Sequence, residues 1–386
     1  MGYDYSENVL VQGAAGDLLR DELGWDVQFA YNTEVLGEQG TLGRKSYNDI
    51  LLTRYLYSAL KKLNPWLTDA QCLDAEKQLR HHLSTSSLLQ INEEKYYFIR
   101  DGIPVAVKHK NGKTETRRAA VIDFQHPENN HFLAVKEMKI HGELYRRRTD
   151  IVGFVNGIPL LFIELKRNDV DVQNAYTDNY TDYRDTIPQL FYYNAFLILS
   201  NGMEAKVGTL GSKYEFFHEW KRLNEADAGS VALETMLRGI CKKENFLDLF
   251  ENFILYDHSG GNTAKILARN HQYLGVNEAV KAYEARKLND GNYSENEPTL
   301  SGFIINSSKV EFVIKKFTID GEVYLPLFPE MIEKTMMFRV LIHLKQSING
   351  KEVLMHIVDI NHKERLYKTI YENNRILYFE EIEKSN

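Results

Sequence analysis

The spacing of apolar residues changes along this chain, and each change predicts an element. In residues 8–24 they recur every three or four positions, at Val9, Leu10, Ala14, Leu18, Leu19 and Leu23, with Gly24 as a stop; this is helical spacing. Residues 47–63 repeat it with Leu51, Leu52, Tyr55, Leu56, Leu60 and Leu63 before Asn64-Pro65. Thr68-Asp69 then caps a third helix over 69–83. After that the period drops to two. Residues 96–107 alternate around Asp101-Gly102 as a hairpin would, and 117–124 and 131–138 predict further strands. Residues 146–166, RRRTDIVGFVNGIPLLFIELK, hold two apolar runs split by Asn156-Gly157, the strongest short hairpin signal. A helix over 170–186, strands over 195–202 and 205–210, and helical stretches over 231–253 and 263–288 follow.

The polar stretch 289–302, NDGNYSENEPTLSG, reads as a linker. Beyond it, apolar runs such as VEFVIKKFTI and EVLMHIVDI predict a small α+β module over 292–386, of unassigned role.

Composition narrows the class. The 386 residues are long enough for two or three domains with real cores. Hydrophobic residues make up 43% and charged residues 26%, as in a water-soluble globular protein. There is no run of 18 apolar residues, so no membrane span or membrane partner is expected. Cys72 and Cys241 stand far apart without a CxxC pattern, which excludes a disulfide framework and a cysteine zinc site and suits a cytoplasmic location. The net charge of −7 speaks against a phosphate-coated partner overall, but binding follows the local field. Residues 101–150 carry ten Lys and Arg against seven Asp and Glu, and Arg146, Arg147 and Arg148 form an unbroken run.

That run leads straight into the chemistry. Asp150 stands before the first apolar run of the hairpin, and Glu164 and Lys166 close the second. Alternation puts Glu164 and Lys166 on one face of their strand. With a two-residue turn, Asp150 pairs beside Ile163; with a bulge, it stands directly across from Glu164. Two close carboxylates repel unless a proton or a cation lies between them. Their oxygens suit Mg²⁺, which takes one or two carboxylates and keeps several waters, and a nearby ammonium can orient an attacking water or hold developing charge. These parts are those of phosphodiester hydrolysis, and the arginine forks match phosphate oxygens. The plain alternatives are an exposed strand face bearing an ion pair and a solvated arginine turn.

On these residues the chain resembles the restriction (R) subunit of type I restriction-modification enzymes, whose nuclease core belongs to the PD-(D/E)xK superfamily. LGRKSYNDILLTRYLYSALKKLNP, SNGMEAKVGTL and KILARNHQYLGVNEAV extend the resemblance over roughly residues 5–291. It implies a restriction-endonuclease-like α/β (α+β) fold over 1–225, a mixed sheet flanked by helices, followed by a helical segment over 226–291 like the start of the motor region. It implies Asp150 and Glu164 as metal ligands and Lys166 as the catalytic base or water-positioning group. The family's Gln-x-x-x-Tyr element is matched by Gln189 and Tyr193 of IPQLFYYN. Mg²⁺ is the implied cofactor. DNA and the methylation and specificity subunits are the implied partners, and cutting of foreign DNA in phage defence is the implied activity.

The chain departs from the family in one respect. No GxxxxGK[ST] loop occurs in it, and without backbone N–H groups and a lysine to cradle phosphates no ATP hydrolysis is expected, although ATP serves the family. The rival reading is therefore a non-cleaving, shortened subunit or binding module.

Overall fold

In the computed structural model, residues 7–289 are described except 109–111, 113, 225, 230–231, 260 and 262. Seven strands between 299 and 382 are described as backbone. The chain forms two compact units, Met1–Tyr273 and Leu274–Asn386.

The first unit opens with α1 (Glu7–Asp17), which runs into a π-helical turn over Leu18–Glu22, and β1 (Asp26–Phe29). Helices α2 (Thr53–Leu63), α3 (Asp69–Arg80) and α4 (Leu88–Asp101) follow, then β2 (Ile103–Lys108) and β3 (Thr114–Ala119). Next come β4 (Phe132–Lys136), β5 (Lys139–His141), β6 (Arg146–Arg148), β7 (Ile151–Val155) and β8 (Ile158–Leu165). A π-helical segment over Ala175–Tyr180 continues into α5 (Thr181–Thr186), and β9 (Phe196–Ser200) and β10 (Ala205–Gly208) complete the sheet. Then come α6 (Leu233–Ile240), α7 (Lys243–Asn252), β11 (Ile254–Asp257), β12 (Ala264–Leu267) and α8 (Asn270–Asn289).

One six-stranded mixed sheet, in the order β1-β4-β7-β8-β9-β10, carries the architecture. β1 and β4 are parallel, as are β8 and β9, and the other neighbours are antiparallel. Helices cover both faces, so β7 and β8 are buried along their whole length, and such strands read as continuous apolar runs. On one face Trp25, Phe132 and Phe196 close around Phe246 of α7, with ring centroids 5.0–6.2 Å apart. The Trp25 indole donates to the Cys241 carbonyl at 2.8 Å. On the other, Phe162 meets Tyr183 of α5 and Phe191 edge-on.

Two expected elements are corrected. Residues 96–101 end a helix rather than begin a hairpin. Ser87 and Gln90 form a reciprocal capping box, and Ile91, Lys95, Tyr96 and Ile99 make one buried stripe. Gly102, at φ 87°, stops the helix. The helix expected from residue 263 starts at Asn270, because Ala264–Leu267 pairs antiparallel with Ile254–Asp257.

In the second unit the described backbone forms a three-stranded sheet, β13 (Thr299–Ile304), β14 (Phe312–Ile319) and β15 (Glu322–Tyr324). A four-stranded antiparallel meander follows, β16 (Phe338–Ser347), β17 (Gly350–Asp359), β18 (Glu364–Glu372) and β19 (Arg375–Ile382). The helical part expected of this module lies outside the described residues. No helix among the described residues is long and apolar enough to cross a membrane.

Candidate active site

The β7–β8 hairpin places the acids. Asn156 (φ 50°) and Gly157 (φ 79°) both occupy the left-handed region that a tight two-residue hairpin turn requires. Val155 pairs with Ile158 and Phe154 with Pro159, but Gly153 then pairs with Leu161 and Ile151 with Ile163. The register slips by one residue, a β-bulge. Gly153 permits it: a Cβ there would lie 2.9 Å from Leu161 and 3.0 Å from Trp25. Continuing the slipped register brings Asp150 across from Glu164, the bulged alternative expected from the sequence.

The two carboxylates share one corner of the sheet, Glu164 buried and Asp150 half-buried. Asp150 Oδ2 accepts the Leu165 N–H at 2.7 Å. Glu164 is 3% exposed, and its Oε2 is buried with no hydrogen-bond partner. Burial raises the Asp150 pKa from 3.8 to about 6, opposed by the Leu165 N–H and the Arg148 charge. Burial, and then the charge of Asp150, hold the Glu164 carboxyl well above the ordinary carboxylate range, with Lys166 pulling the other way.

A ring of residues that the sequence reading did not single out surrounds them. Gln12 of α1 points its Nε2 at Asp150, 3.4 Å from the backbone oxygen and 3.5 Å from Oδ1. Glu137, at φ 53°, donates its N–H to the Asp150 carbonyl at 2.9 Å and pairs with Arg148 at 3.3 Å. The Lys166 ammonium donates to Asn179 Oδ1. Tyr183, one turn on, donates its hydroxyl to the Arg148 carbonyl at 2.9 Å, and its pKa is raised by burial and by the negative charges of Glu164 and Asp150. Asn179 and Tyr183 have the same i, i+4 interval as Gln189 and Tyr193, so the signal was present ten residues earlier.

Asp150, Glu164 and Lys166 therefore come together. Gln189 and Tyr193 bond elsewhere. Gln189 Nε2 donates to the His141 carbonyl at 2.8 Å, and the buried Tyr193 hydroxyl donates to Leu79 O at 3.1 Å. The arginines divide by strand alternation. Arg146 and Arg148 are exposed, while Arg147 bonds Asp182 through Nη2 at 2.8 Å.

The donor set fits a hard divalent cation. An orphaned buried carboxylate oxygen calls for a missing partner, and the second acid beside it offers another oxygen. No group of three or more His, Cys, Asp or Glu side chains among the described residues is placed to hold a metal. Two carboxylates meet the requirement of Mg²⁺, whose remaining positions go to water and phosphate oxygens.

Residues 4–216 match the family model for the type I restriction enzyme R protein N terminus. The chain belongs to that family. This R-protein N-terminal family member is 33% identical over 268 residues to the type I restriction enzyme HindI endonuclease subunit of Haemophilus influenzae, covering 67% of this chain and 25% of that one. It is 29% identical over 301 residues to the provisionally named type I restriction enzyme MjaIXP endonuclease subunit of Methanocaldococcus jannaschii, covering 71% and 27%. The chain thus spans about a quarter of the length of the curated relatives it matches.

Proposed function

We propose that this R-protein N-terminal chain carries the DNA-cutting centre of a type I restriction system, a Mg²⁺-dependent endonuclease of the PD-(D/E)xK kind. The observation that supports it most is a buried Glu164 with an unsatisfied oxygen and a half-buried Asp150 brought beside it by the slipped register of a bulged hairpin. Asp150 and Glu164 would hold the ion. When bound, it would polarise the scissile phosphate and lower the pKa of a coordinated water.

The chain's own groups supply the rest. The Lys166 ammonium, held by Asn179, orients the attacking water and faces the charge that develops on the phosphate. Arg146 and Arg148, exposed on one face of β6, bind phosphates of the same strand. Gln12 holds Asp150, and Tyr183 holds the end of β6 through the Arg148 carbonyl.

Methylation and specificity subunits would choose the DNA, and ATP-driven translocation would belong to sequence outside the phosphate-loop-free stretch present here. Supercoiled plasmid with purified chain and Mg²⁺ or Mn²⁺ tests the reading. Nicking that disappears in Lys166→Ala and Asp150→Asn supports it. Equal, background-level nicking in wild type and variants sinks it in favour of a non-cleaving binding module.

A further inference from the structure

The hairpin formed by β5 and β6 leaves the site and ends in an apolar tip. Its shaft is clamped on every side. Arg147 pairs with Asp182, and Gln189 donates to the His141 carbonyl. The His141 N–H donates to Tyr47 O at 3.0 Å, and Arg44 Nη2 donates to Lys139 O at 2.7 Å. Gly142 sits so close to α5 that a Cβ would lie 2.0 Å from the Thr186 carbonyl. The turn itself closes through the Gly142 N–H on Tyr145 O at 2.8 Å.

At the end of this rigid shaft, Leu144 is 87% exposed and Tyr145 50% exposed. Lys139 lies directly across from Arg148, and His141 across from Arg146. Four of the ten residues over 139–148 are basic, and Glu143 is the one acid. Of the four, Arg147 and Arg148 have acidic partners and the Lys139 ammonium donates to Asn32 Oδ1 at 3.3 Å, so after Glu143 is counted Lys139 and Arg146 leave the shaft with one net positive charge.

Single exposed apolar residues are ordinary, and a leucine on a loose loop would mean little. Here a stiff hairpin holds one out in water between Glu143 and Tyr145, at the end of a shaft that carries Lys139 and Arg146, six residues before Asp150. A basic shaft with an apolar point matches the way proteins part stacked bases: phosphate contacts hold the backbone while a leucine or similar side chain enters a base step.

We propose that Leu144, backed by Tyr145, is a wedge that enters a base step of duplex DNA while Lys139 and Arg146 grip the flanking phosphates. The wedge would hold the duplex kinked at a set distance from the bond to be cut, and in that respect it rests on the nuclease reading above. Leu144 is six residues from Asp150, so at about 3.3 Å per residue the two are at most about 20 Å apart. That is about six base steps at 3.4 Å per step. Pyrimidine–purine steps unstack most readily, so nicks should gather within about that distance of TA and CA/TG steps.

The test uses the full chain, without divalent metal, and short duplexes with 2-aminopurine at a TA step. Binding should raise the fluorescence severalfold at saturation. Leu144→Ser should abolish the rise and weaken binding about tenfold, while Leu144→Phe restores both. Leu144 is exposed, so Leu144→Ser should melt with the wild type. Arg146→Ala should weaken binding yet keep the saturated signal. Binding without a rise, or Leu144→Ser equal to wild type in both measures, overturns the wedge. So does a Leu144→Ser chain whose DNA binding is intact but whose contact with methylation or specificity subunits is lost. Plasmid nicking without unstacking sinks the wedge alone. Unstacking without nicking sinks the nuclease reading alone. A chain that does neither sinks both.

Discussion

Asp150 Oδ2 accepts the backbone N–H of Leu165, the residue between Glu164 and Lys166, at 2.7 Å. The first acid is thereby bonded to the strand that presents the second acid and the lysine. A change at Asp150 acts on charge and on geometry together, and two substitutions separate them. Asp150→Asn keeps a carbonyl oxygen for Leu165 and removes the charge; Asp150→Ala removes both. Nicking should fall to background in each. Amide exchange at Leu165 should stay slow in Asp150→Asn and speed up in Asp150→Ala, by the worth of one hydrogen bond, about 1 kcal/mol. Fast exchange in both would show that the bond does not hold the strand end.

The raised acids set a direction for pH. Without metal, the folded chain keeps a proton on Asp150 up to about pH 6, and burial beside Asp150 holds the Glu164 carboxyl well above the ordinary carboxylate range, whereas the unfolded chain gives up the Asp150 proton near 3.8. Between those values the folded state binds more protons, so stability falls as pH rises. The interval from 3.8 to about 6 corresponds to about 3 kcal/mol for Asp150. Metal-free Asp150→Asn should therefore melt several degrees above wild type at pH 8 and at nearly the same temperature at pH 4. Metal binding must displace the same protons, so its affinity should climb with pH from 5 to 8, with proton release visible in calorimetry across buffers of different ionisation heat. A flat affinity over that range would count against a carboxylate site.

Lys166 can serve the proposed reaction only if its ammonium stays near the acids, whose charges it already feels, and Asn179 is the side chain that holds it. Asn179→Ala should lower the nicking rate about 10- to 100-fold, the usual cost of losing a group that orients a reacting one. Asn179→Gln should recover part of it. The metal affinity of Asn179→Ala should stay near wild type, because the Asn179 side chain bonds Lys166 and the Tyr183 hydroxyl rather than the acids. A loss of metal binding equal to that of Asp150→Asn would assign Asn179 a different role.

The hairpin and the placement of its acids and lysine were legible because they are local. Alternation, Asn156-Gly157 and the acids at the run ends are neighbours in sequence. The register slip was legible only as one of two options, because Trp25 and Leu161 help decide it at Gly153. The Asn179–Tyr183 pair was passed over for a pair of identical spacing; the path of the chain after β8 separates them, bringing one to Lys166 and the other to Leu79 and His141. Tyr96 and Ile99 fit a strand as well as a helix, and the capping box at Ser87 tips the balance. Buried Lys265 could not be foreseen, since its partners, Asn92 and the Asn194 carbonyl, lie 173 and 71 residues away.

A buried ion pair behind the basic hairpin completes the set. Arg44 donates through Nε and Nη2 to the two Glu34 carboxylate oxygens, at 2.5 and 2.6 Å, with side chains 0% and 1% exposed. The remaining Arg44 donors reach Asp49 O at 3.2 Å and Lys139 O at 2.7 Å, so the guanidinium fastens β5 from behind. Removing one partner strands a charge away from water, which costs about 3–5 kcal/mol. Glu34→Ala should show that loss in urea denaturation. Replacing both, as Arg44→Met with Glu34→Leu, should recover most of the stability, because two apolar groups of similar volume leave no charge unpaired. It should not restore DNA binding, because the bond to the Lys139 carbonyl is gone and the hairpin shaft loses one of its clamps. A double variant as weak in stability as Glu34→Ala would show that the packing around this pair, rather than the stranded charge, carries the cost.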